Sequence, residues 1–386
     1  MSVAFIGGRG VGGKYGGIET FYENVPVRLA RRGHDVTIYC RRHFTPDDYV
    51  IPGVRLARLP STGGKHLDTP VHSVLSTVHA LLSRHDVVHY QALGSSLLSW
   101  VPRLCGTATV ATVHGLDWQR AKWGRVARLV LRTGEWASVK LADRTTTNSK
   151  NLAAELQRKY RKAVHYIPNG VDPFPIPPPV NLDRYGLEPK GYLLFAGRLS
   201  PEKGCHTLLE AYLGSRTSMP LVFAGGSIDK KYEQVLRSQA PERVRFLGYV
   251  DSAALGELYA HAYLFVLPSF LEGLSLSLLE AMSYGCPVVA SDIPENRDVL
   301  EDTGFTFPPG DAARLRELLD ELLERPDLLE EKAAAARRLV MENYTWEDVV
   351  GRFEALYAGL LGSDGPPSDR ERSGSEARPE GLKGPA

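Results

Sequence analysis

Short runs of β-branched and other apolar residues alternate along the chain with longer segments in which apolar residues recur every three or four positions. In the first half the runs are Val3–Gly7, Val36–Cys40, Val87–Tyr90, Thr107–Val113, Arg144–Asn148 and His165–Pro168. Between them, stretches such as Glu19–Arg32 and Ser73–Ser83 have the amphipathic spacing of helices. Strands alternating with helices predict a parallel sheet with helices packed on it. The pattern stops at Pro173-Phe-Pro-Ile-Pro-Pro-Pro179, where prolines remove backbone donors and enforce an extended connector. It restarts at Tyr192–Gly197 and continues through Leu221–Gly225, Val244–Leu247, Tyr263–Leu267 and Pro287–Ala290. Ala312–Glu342 and Trp346–Leu361 follow as helical patterns, and a Ser-, Pro-, Gly- and charge-rich tail ends the chain. The predicted class is α/β, with Rossmann-like units at 1–172 and 191–345, a linker at 173–190, a helix at 346–361 turning back toward the first unit, and a disordered tail at 362–386.

Composition narrows this picture without changing it. The chain has 386 residues, enough for two domains of ordinary size. Apolar residues make up 43% and charged residues 24%, as in soluble globular proteins. Four dispersed cysteines without CxxC spacing argue against a disulfide framework or zinc ribbon and fit a reducing compartment. The first residues lack the basic-then-apolar order of a signal peptide, and no apolar run is long enough to span a membrane, so a cytoplasmic location is expected. The net charge of +1 hides an asymmetry: residues 1–172 hold 24 Lys and Arg against 12 Asp and Glu, and the remainder hold 22 against 33. The two halves are therefore expected to face different partners.

Three segments carry candidate chemistry. The first predicted strand runs into Gly7-Gly-Arg-Gly-Val-Gly-Gly-Lys-Tyr-Gly-Gly17, followed by a helix. Glycines let backbone approach a ligand, and a helix N-terminus offers free N–H groups to an anion, so this loop is suited to a diphosphate. Gly8–Gly13 also satisfies GxGxxG, but the second strand ends in Arg41 and Arg42 instead of the acidic residue an NAD site needs. NADP and a purely structural loop stay open. The second segment, Gly197-Arg-Leu-Ser-Pro-Glu-Lys-Gly204, sets Arg198 and Lys203 in one turn after a strand, either gripping phosphate oxygens or simply solvated. In the third, Pro268-Ser-Phe-Leu-Glu-Gly-Leu-Ser-Leu-Ser-Leu-Leu-Glu280, Glu272 sits in the loop at the strand's carboxyl end and Glu280 eight residues on, in the inner turns of the next helix, so both can face one crevice. The amides of Ser275, Leu276 and Ser277 at the helix start are placed to meet a phosphate.

Taken in order, these pieces resemble the retaining glycosyltransferases of family 4, which have the GT-B fold of two facing Rossmann-like domains with a cleft between them. The matching motifs are Tyr15-Gly-Gly-Ile-Glu-Thr-Phe21, Ile167-Pro-Asn-Gly-Val-Asp172, Gly197–Gly204, Glu272-x7-Glu280 and Gly285-Cys-Pro-Val-Val-Ala290, and the resemblance covers roughly residues 1–361. The stretches Tyr39–Arg42 and Gly115–Gly124 are similar to a subgroup that includes rhamnosyltransferases and other bacterial cell-surface sugar transferases. The resemblance implies a nucleotide-sugar donor held mostly by the second domain, with the first on the acceptor side. Arg198 and Lys203 match cations that bind the diphosphate, Glu272 the carboxylate on the donor sugar, Glu280 the one on the ribose, and Gly16 and Gly17 the loop facing the diphosphate. His114, ending an apolar strand, matches a histidine that contacts the donor sugar; a structural histidine is the alternative. The sequence departs from the family at Leu274-Ser275, where relatives often carry a larger aromatic and a glycine.

The implied reaction retains anomeric configuration and needs neither a protein nucleophile nor a metal, because Arg198 and Lys203 supply charge to the leaving diphosphate. No Asp-x-Asp triplet stands ready for a metal, and no cofactor beyond the donor is expected. The acceptor is expected to be a glycan or a lipid-linked sugar, in cell-surface polysaccharide synthesis. Residues 120–132 hold five cations and no acid, beside Trp118 and Trp123. They read as a basic amphipathic helix for peripheral contact with an anionic membrane at its inner face, or as a solvated surface. No nucleic-acid-binding motif accompanies the charge. The competing classes are an NADP-dependent oxidoreductase and a non-catalytic sugar-nucleotide-binding protein.

Overall fold

The computed structural model describes residues 1–12, 17–64, 67–119, 124–173, 175–227 and 229–362. The expected disordered tail, beyond Gly362, lies outside the described residues. The first unit contains β1 (Ser2–Ile6), α1 (Gly17–Arg31), β2 (Asp35–Arg41), β3 (Val54–Leu59), α2 (Asp68–Leu82), β4 (Val87–Gln91), α3 (Trp100–Leu104), β5 (Ala108–Val113), α4 (Arg125–Lys140), β6 (Arg144–Thr147), α5 (Lys150–Tyr160) and β7 (His165–Tyr166). The second contains β8 (Leu193–Ala196), α6 (Cys205–Gly214), β9 (Leu221–Ala224), α7 (Lys230–Gln239), β10 (Val244–Gly248), α8 (Ser252–His261), β11 (Leu264–Leu267), α9 (Leu276–Ser283), β12 (Val288–Ser291), α10 (Pro294–Leu300), β13 (Phe305–Phe307), α11 (Ala312–Leu322), α12 (Pro326–Asn343) and α13 (Trp346–Leu361).

The strands form two sheets, ordered β3-β2-β1-β4-β5-β6-β7 and β10-β9-β8-β11-β12-β13. Neighbouring strands in each pair in parallel. Helices cover both faces, so inner strands are apolar throughout instead of alternating: β8, β9 and β11 read LLFA, LVFA and LFVL and are buried at every position. Among the described residues, five helices start on a side chain that accepts from a backbone N–H of the first turn: Ser149, Asp229, Asp251, Asp311 and Thr345. In both sheets the connections from β1, β8 and β11 into the following helix leave from the same, carboxyl, edge, where ligands of parallel sheets bind.

The chain crosses between the sheets twice, and the crossings are tied together. Val171 N–H donates to the Tyr344 carbonyl (2.8 Å), and Trp346 N–H donates to the Val171 carbonyl (3.2 Å). Beyond this tie α13 returns to the first sheet. Its Trp346, Val349, Val350, Phe353 and Tyr357 enter the same core as Phe5, Phe21 and Tyr22. Arg28 on α1 pairs with Asp172 and, at 3.1 Å, with Glu347; Arg32 pairs with Glu354 and, at 2.5 Å, with Glu347.

Two strands were not expected from the sequence, β3 and β13, and both lie at sheet edges. An edge strand has one partner and more solvent, so β3 carries Arg55 and Arg58 among its apolar residues and β13 spans three residues. Neither displays the continuous apolar run that marks a central strand.

Candidate active site

The second sheet contributes charge through loops at its carboxyl edge. β8 ends at Gly197, and Arg198 follows, exposed and without an ion pair or hydrogen bond to the described residues. The turn Pro201–Lys203 then closes on Gly204, whose φ is +65° and where a Cβ would lie 2.0 Å from the Pro268 carbonyl oxygen. Only glycine lets this loop press against the loop after β11. Phe270 N–H completes the contact by donating to the Glu202 carbonyl at 2.9 Å. The close approach sets Lys203 Nζ 2.6 Å from Glu272 Oε1, with both side chains largely buried. Lys203 and Glu272, read from the sequence as binding diphosphate and sugar separately, are thus partners in one ion pair.

The Glu272 carboxylate has a further support that the sequence did not reveal. Ser269 Oγ donates to the same Oε1 at 2.6 Å. The Ser291 hydroxyl donates to the Ser269 carbonyl, and Asn296 Nδ2 donates to the Ser291 carbonyl (3.0 Å) and hydroxyl (3.1 Å). These three residues are buried. Each polar atom in the chain therefore holds the next, and the carboxylate is fixed from below.

Helix α9 begins immediately after, with Ser275 in the capping position but making no side-chain cap. Its hydroxyl lies 3.1 Å from that of Ser277. The first amides of the helix, including those of Leu276 and Ser277, have no intrahelical acceptor, and this end carries the positive pole of the helix. Glu280 lies one turn further along and accepts from Tyr259 Oη at 3.1 Å. Burial pushes its carboxyl up to about 7, against the opposing effect of the Tyr259 bond. Tyr259, on α8, is a further residue that the sequence did not reveal.

The first sheet faces this wall with neutral groups. His114 follows β5, and a Cβ on Gly273 would lie 2.3 Å from its carbonyl oxygen, so the loop carrying Glu272 rests on the end of β5. The ring packs edge-on to Phe21 of α1, with centroids 5.9 Å apart. Its Nε2 is 2.5 Å from Gln91 Oε1, and burial lowers its pKa to about 4, so it is uncharged near neutral pH. Gly17 opens α1 opposite α9, where a Cβ would lie 3.8 Å from Leu276 Cδ1. Gly16 lies outside the described residues. Earlier in the glycine loop, Gly8 N–H donates to the buried Tyr22 hydroxyl at 2.9 Å, and a Cβ there would lie 2.2 Å from the Tyr22 ring. Close packing is therefore sufficient reason for Gly8 in the GxGxxG match.

The expected basic helix at 120–132 differs in two ways. Helix α4 starts at Arg125, and Arg120, Lys122 and Trp123 lie outside the described residues. Trp118 is not an interfacial anchor: its Nε1 donates to buried Glu135 at 2.7 Å and its ring lies under the Arg132 guanidinium. The indole N–H needs a partner when it leaves water, and Glu135 supplies one. Instead α4 exposes Val126, Leu129, Val130 and Trp136, a stripe of helical spacing beside exposed Arg125, Arg128 and Arg132.

Two facing parallel sheets, a charged loop edge on one and a neutral edge on the other define the class: a GT-B glycosyltransferase. The sequence matches the family described as Glycosyltransferase Family 4 over residues 15–173 and Glycosyl transferases group 1 over residues 183–339. It is 30% identical to the phosphatidyl-myo-inositol mannosyltransferase of Mycobacterium leprae over 367 residues, covering 89% of this chain and 92% of that protein. Over 174 residues it is 34% identical to the O-antigen chain mannosyltransferase B of Escherichia coli, covering 43% of this chain and 45% of that one. The structure superposes on sucrose-phosphate synthase from Thermosynechococcus elongatus with a TM-score of 0.82 and 23% identity, covering 94% of this chain and 100% of that one. The chain belongs to the family 4 glycosyltransferases. The oxidoreductase alternative is not supported.

Proposed function

We propose that the chain transfers a sugar from a nucleotide-diphosphate donor to a glycan or lipid-linked acceptor with retention of configuration. The observation that carries this reading is the meeting of the Lys203–Glu272 pair and the free amides of α9 at one sheet edge, opposite Gly17 and neutral His114, with exposed Arg198 in the same loop as Lys203. In the proposed reaction the sugar–phosphate bond breaks with negative charge on the leaving diphosphate, and preorganised cations and amides lower that barrier. Glu272 receives donor-sugar hydroxyls, Glu280 receives ribose hydroxyls, and the leaving phosphate oxygen takes the acceptor's proton. Arg198 and Lys203 stand in for a metal ion. Relatives named as mannosyltransferases of a phosphatidyl-inositol lipid and of an O-antigen chain support the acceptor classes.

Thermal shifts with UDP, GDP, dTDP and NADP test the donor. A shift with one nucleoside diphosphate, lost in Arg198→Ala, supports the reading; a shift with NADP alone refutes it. Transfer measured in excess EDTA is expected to continue, and loss that Mg²⁺ or Mn²⁺ restores would disprove the metal-free mechanism.

The membrane part of the proposal rests on α4. Its exposed Val126, Leu129 and Val130 beside Arg125, Arg128 and Arg132 suit the headgroup region of an anionic bilayer. Helix α2 adds exposed Val74, Val78 and Leu82, and both helices pack against the turn Ser95–Leu98, so their apolar faces belong to the same unit. No described helix is long and apolar enough to cross a membrane. Flotation with phosphatidylglycerol vesicles should retain the protein, whereas phosphatidylcholine vesicles should not. Each cation near such a surface contributes about 1 kcal/mol, so Arg125→Gln with Arg128→Gln should weaken retention by more than tenfold. Equal, poor binding to both vesicles would make α4 a solvated face.

A further inference from the structure

A polar chain runs from His114 into the first sheet, and the reaction scheme above does not use it. His114 Nε2 meets Gln91 Oε1 at 2.5 Å, and Gln91 Nε2 meets His89 Nε2 at 3.1 Å. His89 Nδ1 lies 2.7 Å from the Tyr357 hydroxyl on α13. Its Nε2 also lies 2.6 Å from Thr112 Oγ1, which is 2.6 Å from Thr146 Oγ1. Gln91, His89 and Tyr357 are inaccessible to solvent.

An amide has one accepting end and one donating end, and that asymmetry couples the two imidazoles. With the Gln91 oxygen toward His114, His114 must carry its proton on Nε2 and donate it. With the Gln91 nitrogen toward His89, His89 Nε2 must be bare, so neutral His89 holds its proton on Nδ1 and donates to Tyr357. The remaining nitrogen of His114, Nδ1, is then a lone pair, and it has no partner among the described residues.

We propose that Gln91 is a positioning residue for sugar transfer: its side-chain oxygen holds His114 in the Nε2–H form and so presents the Nδ1 lone pair to a hydroxyl of the donor sugar. The proposal rests on the reading of His114 as a donor-facing residue. The groups around the ring are Phe21 on α1, Gln91 on β4 with His89 behind it, and the Glu272–Gly273 loop against its carbonyl. Held by the amide, the ring keeps one orientation and one tautomer before the donor arrives, which removes an ordering cost from the reaction.

The test reads the tautomer directly in the full chain labelled with ¹⁵N-histidine, the His114 signals being those lost in His114→Ala. Two-bond proton–nitrogen correlations should show neutral Nε2–H from about pH 6 to 8. Gln91→Leu should give mixed tautomers. Gln91→Glu still accepts from Nε2–H, so it should restore the tautomer while making the ring titrate at higher pH, since a carboxylate favours imidazolium. The kinetic arm follows nucleotide release from UDP-glucose and GDP-mannose. Gln91→Leu should lower kcat by about tenfold and add nothing to His114→Ala. An Nδ1–H form in the unaltered protein, an unchanged spectrum in Gln91→Leu, or additive kinetic effects would overturn the proposal. His114→Ala turning over at the normal rate would overturn the donor-facing reading and the proposal with it. An impaired His114→Ala beside a silent Gln91→Leu would overturn the proposal alone.

Discussion

In the first sheet, polar side chains run through the strands themselves: His89 and Gln91 on β4, Thr109 and Thr112 on β5, Thr145, Thr146 and Thr147 on β6, all buried. In the second sheet, β8, β9 and β11 carry no polar side chain, and the working groups stand on the loops beyond them. The first arrangement is neutral along β4, β5 and β6, since burial lowers His89 to about 3 and His114 to about 4 and leaves both uncharged near pH 7; the buried ions of this sheet, Arg41 and its partner Asp68, meet at the end of β2. The second is ionic, built on the Lys203–Glu272 pair with Arg198 nearby in the chain. Burying ions between strands would carry a large desolvation cost, and loops at a sheet edge avoid it. Burying neutral, fully paired polar groups costs little and fixes orientation.

The difference fits the charge that the proposed reaction develops. Negative charge grows on the leaving diphosphate, on the side of Arg198, Lys203 and the α9 amides. Positive charge grows on the sugar, and a neutral His114 beside it adds no repulsion. A sheet whose polar groups are locked in place suits the role of orienting, and a charged loop at the sheet edge suits the role of gripping.

The largest effect should come from breaking the ionic wall. Lys203→Ala removes the cation proposed to bind the diphosphate and leaves the largely buried Glu272 carboxyl without its ion-pair partner. Losing one partner of a buried pair costs roughly 3–5 kcal/mol. Because this pair is at the cleft edge, the lower end is expected for stability, with transfer reduced by a hundredfold or more, as for a lost charge-assisted bond of about 3 kcal/mol. Urea unfolding and initial rates measure the two. Lys203→Ala with Glu272→Gln should regain most of the stability and none of the activity. A single mutant retaining half its activity would mean that the wall does not act through charge.

Glu280 sharpens the comparison because it is the member of the charged wall whose ionisation burial opposes, so that it titrates near neutral pH. Its native pKa, about 7, lies above its unfolded value of 4.5. The native state therefore binds more protons than the unfolded state between these values. The associated stability is complete below about 4.5 and is lost as pH rises through 7. Glu280→Gln should accordingly leave stability unchanged near the acid end and raise it by about 3 kcal/mol at the alkaline end, read from urea midpoints. Nucleotide binding should behave oppositely. In the proposed site ribose hydroxyls donate to the ionised carboxylate, so affinity should rise with pH through 7 in the native enzyme and be flat in Glu280→Gln. A flat profile in both would remove Glu280 from the ribose site.

Much of the second wall was legible in the sequence because its residues cluster in two short loops, Gly197–Gly204 and Pro268–Glu280. Central strands were equally visible, since a strand covered on both faces must be continuously apolar, whereas edge strands β3 and β13 escaped notice. The Lys203–Glu272 pairing was hidden because it depends on two loops far apart in sequence touching at Gly204 and Pro268. The first wall left a fainter signal. His89 and Gln91 interrupt Val87-Val-His-Tyr-Gln91 at alternate positions, placing two polar groups on one face of a strand that should be apolar. That violation marked a buried network, but its far end, Tyr357, lies 268 residues from His89, beyond the reach of local pattern.

The smallest expected effect tests whether the first wall is neutral throughout its length. Tyr357→Phe deletes the hydroxyl that faces His89 Nδ1 and leaves a buried ring N–H without its acceptor. A neutral hydrogen bond of this kind contributes about 1 kcal/mol, with the cost at the upper end when the donor stays buried. The packing of the residue 357 ring against Phe353 and His89 survives the change, so the fold should be retained. The loss should not vary between about pH 5 and 8, because His89 is held uncharged well below that range by burial. A Tyr357→Phe penalty that grows as pH falls through 6 would mean that His89 takes up a proton in the native state, and the neutral wall would then be a titrating one. Urea midpoints of the two proteins at matched ionic strength decide it, since stability rather than activity carries the signal and no donor has to be known.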